Sequence, residues 1–175
     1  MRNAIVVDTA LGTCGFSWGA QGVQRFSLPQ ESQKALLRRV GAEPCDVDVP
    51  GWVIELAARV RRHLDGKLDD FRDVLIDFSE ASVFEATVYR ALRGVGPGET
   101  TTYGTLAAII GEPGAARALG RAMATNPVPL LVPCHRVLAA GGKVGGFSAY
   151  GGSVTKERLL AIEGVRWSRQ GDLFA

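Results

Sequence analysis

Cysteine and histidine are both scarce in this 175-residue chain, three of one and two of the other. Cys14, Cys45 and Cys134 are scattered, odd in number and without framework spacing. That excludes a disulfide-stapled secreted domain and points to a reduced, cytosolic setting. No CxxC or HxxxH pair occurs, so no metal is expected. No apolar run approaches the ~20 residues of a membrane span, and Met1-Arg2-Asn3 leads into only Ala4-Ile5-Val6-Val7 before Asp8. Neither a leader peptide nor a membrane partner is therefore expected. The chain also lacks a phosphate-cradling loop. Gly94-Val95-Gly96-Pro97-Gly98 is its nearest approach, but Pro97 removes a backbone donor and no Lys-Ser/Thr follows, so a plain turn is expected. A strong net charge is missing as well, at +2. Its distribution is uneven: residues 1–92 hold 11 Lys+Arg against 13 Asp+Glu, a net of −2, and residues 93–175 hold 9 against 5, a net of +4. The basic half suits a polyanionic partner, and it is the half that contains Cys134.

Hydrophobic residues, at 46%, are ample for a packed core. Residues 1–80 read as a small α+β domain. Short β-type runs at 4–8, 13–18 and 23–28 are separated by Gly12, Gly19 and Gly22, and helical periodicity covers 31–40 and 52–64. In the second helix Trp52, Leu56, Val60 and Leu64 are spaced for one buried stripe, with His63 beside it as a surface or packing histidine. Residues 74–78 could add a strand. Cys14, inside a strand pattern, and Cys45, in a Pro/Asp loop, read as bystanders.

Ser79-Glu80-Ala81 reads as a linker to a second, mainly α domain over 81–175. Ser82 and Glu85 form a capping-box pattern at the start of a helix running to about Arg93. Helices over 103–110 and 115–125, joined by a Gly/Pro turn, suggest a helix-turn-helix, winged-helix-like in class. At 100° per residue Ala118, Leu119, Ala122 and Met123 fall on the core face of the second of these helices. Gly114, Arg117, Gly120, Arg121 and Ala124 fall on the other. Small residues with two guanidiniums one turn apart suit close approach to phosphates or a groove, and they also suit a solvated arginine face.

The chemistry concentrates at Pro133-Cys134-His135-Arg136-Val137, which follows the apolar run Pro129-Leu130-Leu131-Val132. A thiol beside an imidazole in a proline-bounded turn is suited to nucleophilic sulfur chemistry. Glu163 closes a helix over 155–163 and projects between Leu159 and Leu160, where a carboxylate costs several kcal/mol unless paired. Arg158 or Arg166 could pair with it structurally. Alternatively it holds His135, the only histidine in this half, so that the pair accepts the proton of Cys134. Adjacent side chains rarely face each other, so that transfer calls for a bridging water.

The segment from Asn126-Pro127-Val128-Pro129 through Pro133-Cys134-His135-Arg136-Val137 resembles the active-site signature of the O6-alkylguanine-DNA alkyltransferases, the methylated-DNA–protein-cysteine methyltransferases. Pro97-x-Gly-Glu99-Thr-x-Thr102-Tyr103-Gly104, Ala115-Ala116-Arg117-Ala118-Leu119-Gly120 and Lys156-x-x-Leu159-Leu160-x-x-Glu163-Gly164 match its other landmarks in order, over residues 83–164. The resemblance implies repair of double-stranded DNA by one irreversible transfer, from O6-alkylguanine and conceivably O4-alkylthymine, to Cys134. His135 would act as base through water, oriented by Glu163, with Asn126 bracing the turn. Tyr103 would donate to the purine, and Val137, Phe147 and Ser148 would line the base site. Arg117 would fill the space left by a flipped nucleotide, with Gly120, Arg121 and Ala124 on the same DNA-facing helix. It implies no cofactor, and indeed no strand–GxG–helix unit for S-adenosylmethionine is visible. A monomer in the cytoplasm, on the nucleoid if bacterial, is expected.

Three positions depart from the family pattern. Phe147 replaces a tyrosine common in the family, the segment from Phe147 to Lys156 is about two residues longer, and Tyr89 replaces a helix tryptophan as a packing change. The rival reading is a non-catalytic lesion sensor of the alkyltransferase-like kind. Such proteins replace the reactive cysteine, which is present here. A cysteine hydrolase or a helix-turn-helix regulator explains less of the pattern.

Overall fold

The computed structural model describes residues 3–45 and 48–167, which form two compact units. Of the described residues, the first contains those up to Glu80 together with Pro127–Leu131, and the second contains Ala81–Asn126 and 132–167.

In the first unit β1 (Asn3–Thr9), β2 (Gly12–Gly19) and β3 (Gly22–Ser27) form an antiparallel meander, with Asn3 opposite Trp18 and Thr9 opposite Gly12. Helix α1 (Gln33–Val40) follows, capped by the Ser32 hydroxyl, which accepts from the Ala35 amide. Strand β4 (Glu43–Pro44) then pairs parallel to β1, giving the order β3-β2-β1-β4. Residues 14–18 of β2 are buried in succession, so both faces of this strand are covered. Gly15 is one reason α1 can lie so close: an added Cβ would stand 2.6 Å from Leu36 Cδ2.

Helix α2 (Gly51–Leu64) packs on β1 through Val53, Leu56, Ala57, Val60 and Leu64. The expected stripe therefore holds except at its start. Trp52 is 42% exposed, because it occupies the first turn and rests edge-on against Trp18, while Val53 is the buried residue there. His63 is a packing histidine: its Nδ1 accepts from the Asp69 amide and its ring lies 5.2 Å from Phe71. The expected strand at 74–78 reduces to one parallel bridge between Ile76 and Val23. Pro127 joins this unit by accepting from the Phe26 amide at 2.8 Å.

The second unit begins with α3 (Val83–Leu92). The Ser82 hydroxyl accepts from the Glu85 amide, and Glu85 Oε2 accepts from the Ser82 amide, completing the capping box. Tyr89, fully buried, donates its hydroxyl to Ala122 O, so the replacement at this position carries a tie to the later helix. The glycine-rich run is a turn whose Gly96 amide donates to Glu99 Oε2, leaving it engaged within the loop. Strand β5 (Thr101–Thr102) leads into α4 (Tyr103–Ile109), and α5 (Ala116–Ala124) packs against α4 as a helix-turn-helix. Leu119, Ala122 and Met123 are buried on α5, whereas Arg117, Arg121 and Ala124 are exposed, so the inner and outer faces follow the sequence pattern. A 3-10 turn over Cys134–Arg136 precedes β6 (Val137–Leu138), which pairs parallel with β5, and a second short turn covers Ala140–Gly142. Helix α6 (Gly152–Ile162) starts three residues earlier than its periodicity suggests, because Gly151 adopts φ 86° and lets the chain enter the helix there. Among the described residues no helix is long and apolar enough to cross a membrane.

Burial pushes the Cys14 thiol up to about 12, against the lowering effect of the Thr9 hydroxyl. Native protein treated with iodoacetamide at neutral pH is therefore expected to keep Cys14 unmodified until it is unfolded, as read by peptide mass. Prompt native labelling of Cys14 would contradict its placement in the sheet core.

Candidate active site

Proline at 133 and the 3-10 turn after it orient consecutive side chains differently. Cys134 lines a cavity of about 300 Å³, which Tyr103, Met123, Gly146, Phe147 and Ser148 also line. Gly120 and Ala124 of α5 form its rim. His135 instead points into the interior and is wholly buried. Asn126 holds the turn by donating from Nδ2 to Val132 O at 2.9 Å and to Cys134 Sγ at 3.3 Å. One amide thus fixes both the backbone before the cysteine and the sulfur itself.

Behind the turn lies a buried charge cluster. His135 Nε2 is 2.9 Å from Glu163 Oε1. Arg136 donates to the same carboxylate twice, Nε to Oε2 at 3.0 Å and Nη2 to Oε1 at 2.7 Å, and its Nη1 donates to Val95 O at 2.6 Å. Glu163 therefore meets both His135 and Arg136, while neither Arg158 nor Arg166 is needed to balance it. A bidentate guanidinium is the geometry that makes a buried carboxylate tolerable, and it fixes both oxygens for the imidazole.

The sulfur experiences opposed influences. Burial pushes the Cys134 thiol up, while the Asn126 amide, the Lys156 charge and the backbone amides of residues 134 and 135 act in the other direction. The balance is upward, so the site at rest favours the neutral thiol. Tyr103 is raised by burial and then by the neighbouring sulfur, so it retains its hydroxyl proton and can act as a donor. Lys156 is buried at the base of the site, where Nζ donates to Val137 O at 2.6 Å and to Gly146 O at 3.3 Å. Burial lowers its pKa to about 8 against the opposing pull of Cys134.

Tyr103, Cys134, Phe147 and Ser148, expected from sequence, come together around one cavity. Asn126, His135 and Glu163 support it from behind. Val137 lies outside the lining, and its carbonyl is engaged by Lys156. Arg117 and Arg121 lie on the exposed face of α5 rather than in the cavity. A Cβ added at Gly120 would meet nothing within 4 Å, so that face is open.

Residues 83–165 match the family described as 6-O-methylguanine DNA methyltransferase, DNA binding domain. A Mycobacterium bovis protein named methylated-DNA–protein-cysteine methyltransferase is 41% identical over 118 residues, 67% of this chain and 68% of that protein. The chain belongs to the 6-O-methylguanine DNA methyltransferase family. A Mycolicibacterium paratuberculosis protein of the same name is 47% identical over 98 residues, 56% of this chain. The chain spans about half the length of the curated relatives it matches at this level, 57% of the paratuberculosis protein and 44% of a human one. The crystal structure of Mycobacterium tuberculosis OGT in complex with DNA is similar over 92% of each chain, at 32% identity and a TM-score of 0.74.

Sequence reasoning overlooked two residues of this methyltransferase-family site. Arg136 was read only as a letter of the motif, although a buried carboxylate near the imidazole called for a second countercharge. Lys156 gave a weaker signal, a lone lysine one turn before Leu159 and Leu160. Both are testable. Glu163→Gln leaves the Arg136 guanidinium buried without its countercharge and is expected to lower unfolding stability by about 3–5 kcal/mol in denaturant titrations. An unchanged midpoint would contradict the cluster. Lys156→Met removes a charge that favours the thiolate only while the lysine is protonated. Iodoacetamide should therefore modify Cys134 more slowly than in wild type below about pH 8, and the gap should close above it. A gap that is independent of pH would contradict this electrostatic link.

Proposed function

We propose that the protein repairs DNA by direct reversal, taking the alkyl group of O6-alkylguanine onto Cys134 in one irreversible step. The observation that carries this reading is the cavity itself. A braced thiol lines it beside a tyrosine hydroxyl, and an imidazole–carboxylate–guanidinium cluster lies behind the turn. The names of the relatives supply the donor and acceptor classes, methylated DNA and a protein cysteine.

The step balances without a cofactor. Cys134 Sγ forms a bond to the alkyl carbon as the carbon–O6 bond breaks, and that electron pair moves into the purine. The thiol proton passes to His135, through a bridging water, and the imidazolium so formed faces Glu163. The departing guanine takes a proton at the base from Tyr103, and the phenolate left behind is reprotonated at the expense of the imidazolium, so both groups end neutral. Charge separation in a buried site is acceptable here because the thiolate and the imidazolium arise together. The product is a thioether, so each molecule acts once.

A base stacked in duplex DNA cannot reach the thiol of a residue that is 6% exposed, so the target nucleotide has to be turned out of the helix. The outer face of α5, with Arg117, Gly120, Arg121 and Ala124, is the surface that would enter the minor groove, Arg117 occupying the vacated stack. On this reading residues 81–175 form the DNA-binding and transfer domain, residues 1–80 form a separate α+β domain, and the monomer works in the cytoplasm. The lesion-sensor alternative accounts for the groove-binding face but gives the braced sulfur no task.

Incubation with a duplex carrying O6-methylguanine is expected to add one methyl group, on the peptide bearing Cys134. Intact mass unchanged under reducing conditions would overturn the transfer reading in favour of the sensor. Cys134→Ser should still bind the duplex and accept nothing. Arg117→Ala is expected to slow transfer from duplex DNA more than reaction with free O6-benzylguanine base. Equal losses on both would contradict a role in base extrusion.

A further inference from the structure

The first unit contains a cavity of about 690 Å³ that the repair chemistry does not use. Its volume lies within the roughly 300–1,000 Å³ typical of sites for small organic molecules. One wall is a single stripe of α2, residues 52, 55, 56 and 59, spaced one turn apart. The opposite walls come from Trp18 at the end of β2 and from Val74 and Leu75. Two indoles meet at its corner, Trp18 and Trp52, with centroids 6.5 Å apart and planes at 80°. Trp52 is 42% exposed and Leu75 is 74% exposed, so large apolar surface is left facing solvent at one place.

The charges around this corner are unbalanced. Arg59, the one cation among the described lining residues, is already claimed: it donates to both oxygens of Asp69 and both of Asp73 at 2.7–2.8 Å. Glu55 sits one turn earlier on the same helix face and is exposed. Among the described residues the lining carboxylates Glu55 and Asp73, with Asp69 beside them, thus stand against one guanidinium, next to the exposed Trp52 ring, whose quadrupole also attracts positive charge. From this juxtaposition we propose that the cavity is a binding site for a small organic cation, an amine, guanidinium or quaternary ammonium carried on an apolar body. The charged head lies between the exposed Trp52 ring and Glu55, and the apolar body lies against Leu56, Val74 and Leu75. The uncapped first turn of α2 at Pro50 marks the rival choice, an anion, and the test separates the two signs. This site is independent of the alkyl-transfer reading.

The probe is benzyltrimethylammonium, titrated into the full-length protein while the three indole N–H resonances are followed by NMR. Trp18 and Trp52 are expected to shift saturably, and Trp167, in the other unit, to stay put as an internal control. Benzyl alcohol and phenylacetate, the neutral and charge-reversed counterparts, should bind at least about tenfold more weakly, and Trp52→Ala or Glu55→Gln should weaken the cation by a similar factor. Glu55 is exposed, so its variant decides the matter if the tryptophan variant folds poorly. Equal or tighter binding of benzyl alcohol or phenylacetate would overturn the proposal. So would the absence of saturable shifts, or parallel drift of all three indoles.

Discussion

A carboxylate shut away from water has to find its countercharges within the protein, and Glu163 finds two. Its oxygens are shared between the His135 ring and the Arg136 guanidinium, all three side chains being essentially unexposed. The arrangement links the end of α6 to the turn that presents Cys134, and through Arg136 Nη1 it reaches the Val95 carbonyl in the glycine-rich turn. Three segments far apart in sequence are thereby fixed to one point. Breaking a buried ion pair on one side costs far more than its formation contributes, so such a cluster specifies geometry more than it adds stability. Here the geometry it specifies is the placing of the buried His135 ring behind the turn that carries the sulfur.

The rest of the site follows from the same economy of water. With the thiol buried, ionisation is disfavoured unless the proton stays close, and Asn126, the local amides and Lys156 offset only part of that cost. The proposed reaction exploits this condition. The thiolate and the imidazolium are created together in a volume that already holds a balanced carboxylate and guanidinium. Tyr103, held protonated by its surroundings, completes the requirement at the other end of the transfer.

How much of this could be read from the chain depended on whether the signal was local. The capping box at Ser82 and Glu85, the two-faced α5 and the turn at residues 94–98 are local patterns, and the structure shows each of them. Glu163 on an apolar helix face raised a question that local reasoning could pose, and His135 was a correct part of the answer. Arg136 was missed because adjacent side chains rarely meet one group, so its place beside His135 gave no indication that both would converge on one carboxylate. Trp52 was misplaced because helical spacing gives the direction of a side chain but not where the sheet beneath it ends. The early start of α6 depends on a left-handed glycine, which the 3.6-residue pattern does not register. The inclusion of Pro127–Leu131 in the first unit rests on a long-range backbone pairing with Phe26, which no periodicity encodes.

The central claim is that the Cys134 proton and the His135 ring are coupled. Nitrogen NMR of the His135 imidazole, recorded across pH alongside the ultraviolet absorbance of the Cys134 thiolate, tests it in the unaltered protein. The account predicts that thiolate first appears with the ring still carrying both protons, and that the ring gives up its second proton only at higher pH. A ring that remains neutral while the thiolate forms would show that the proton leaves by another route, and would contradict the account.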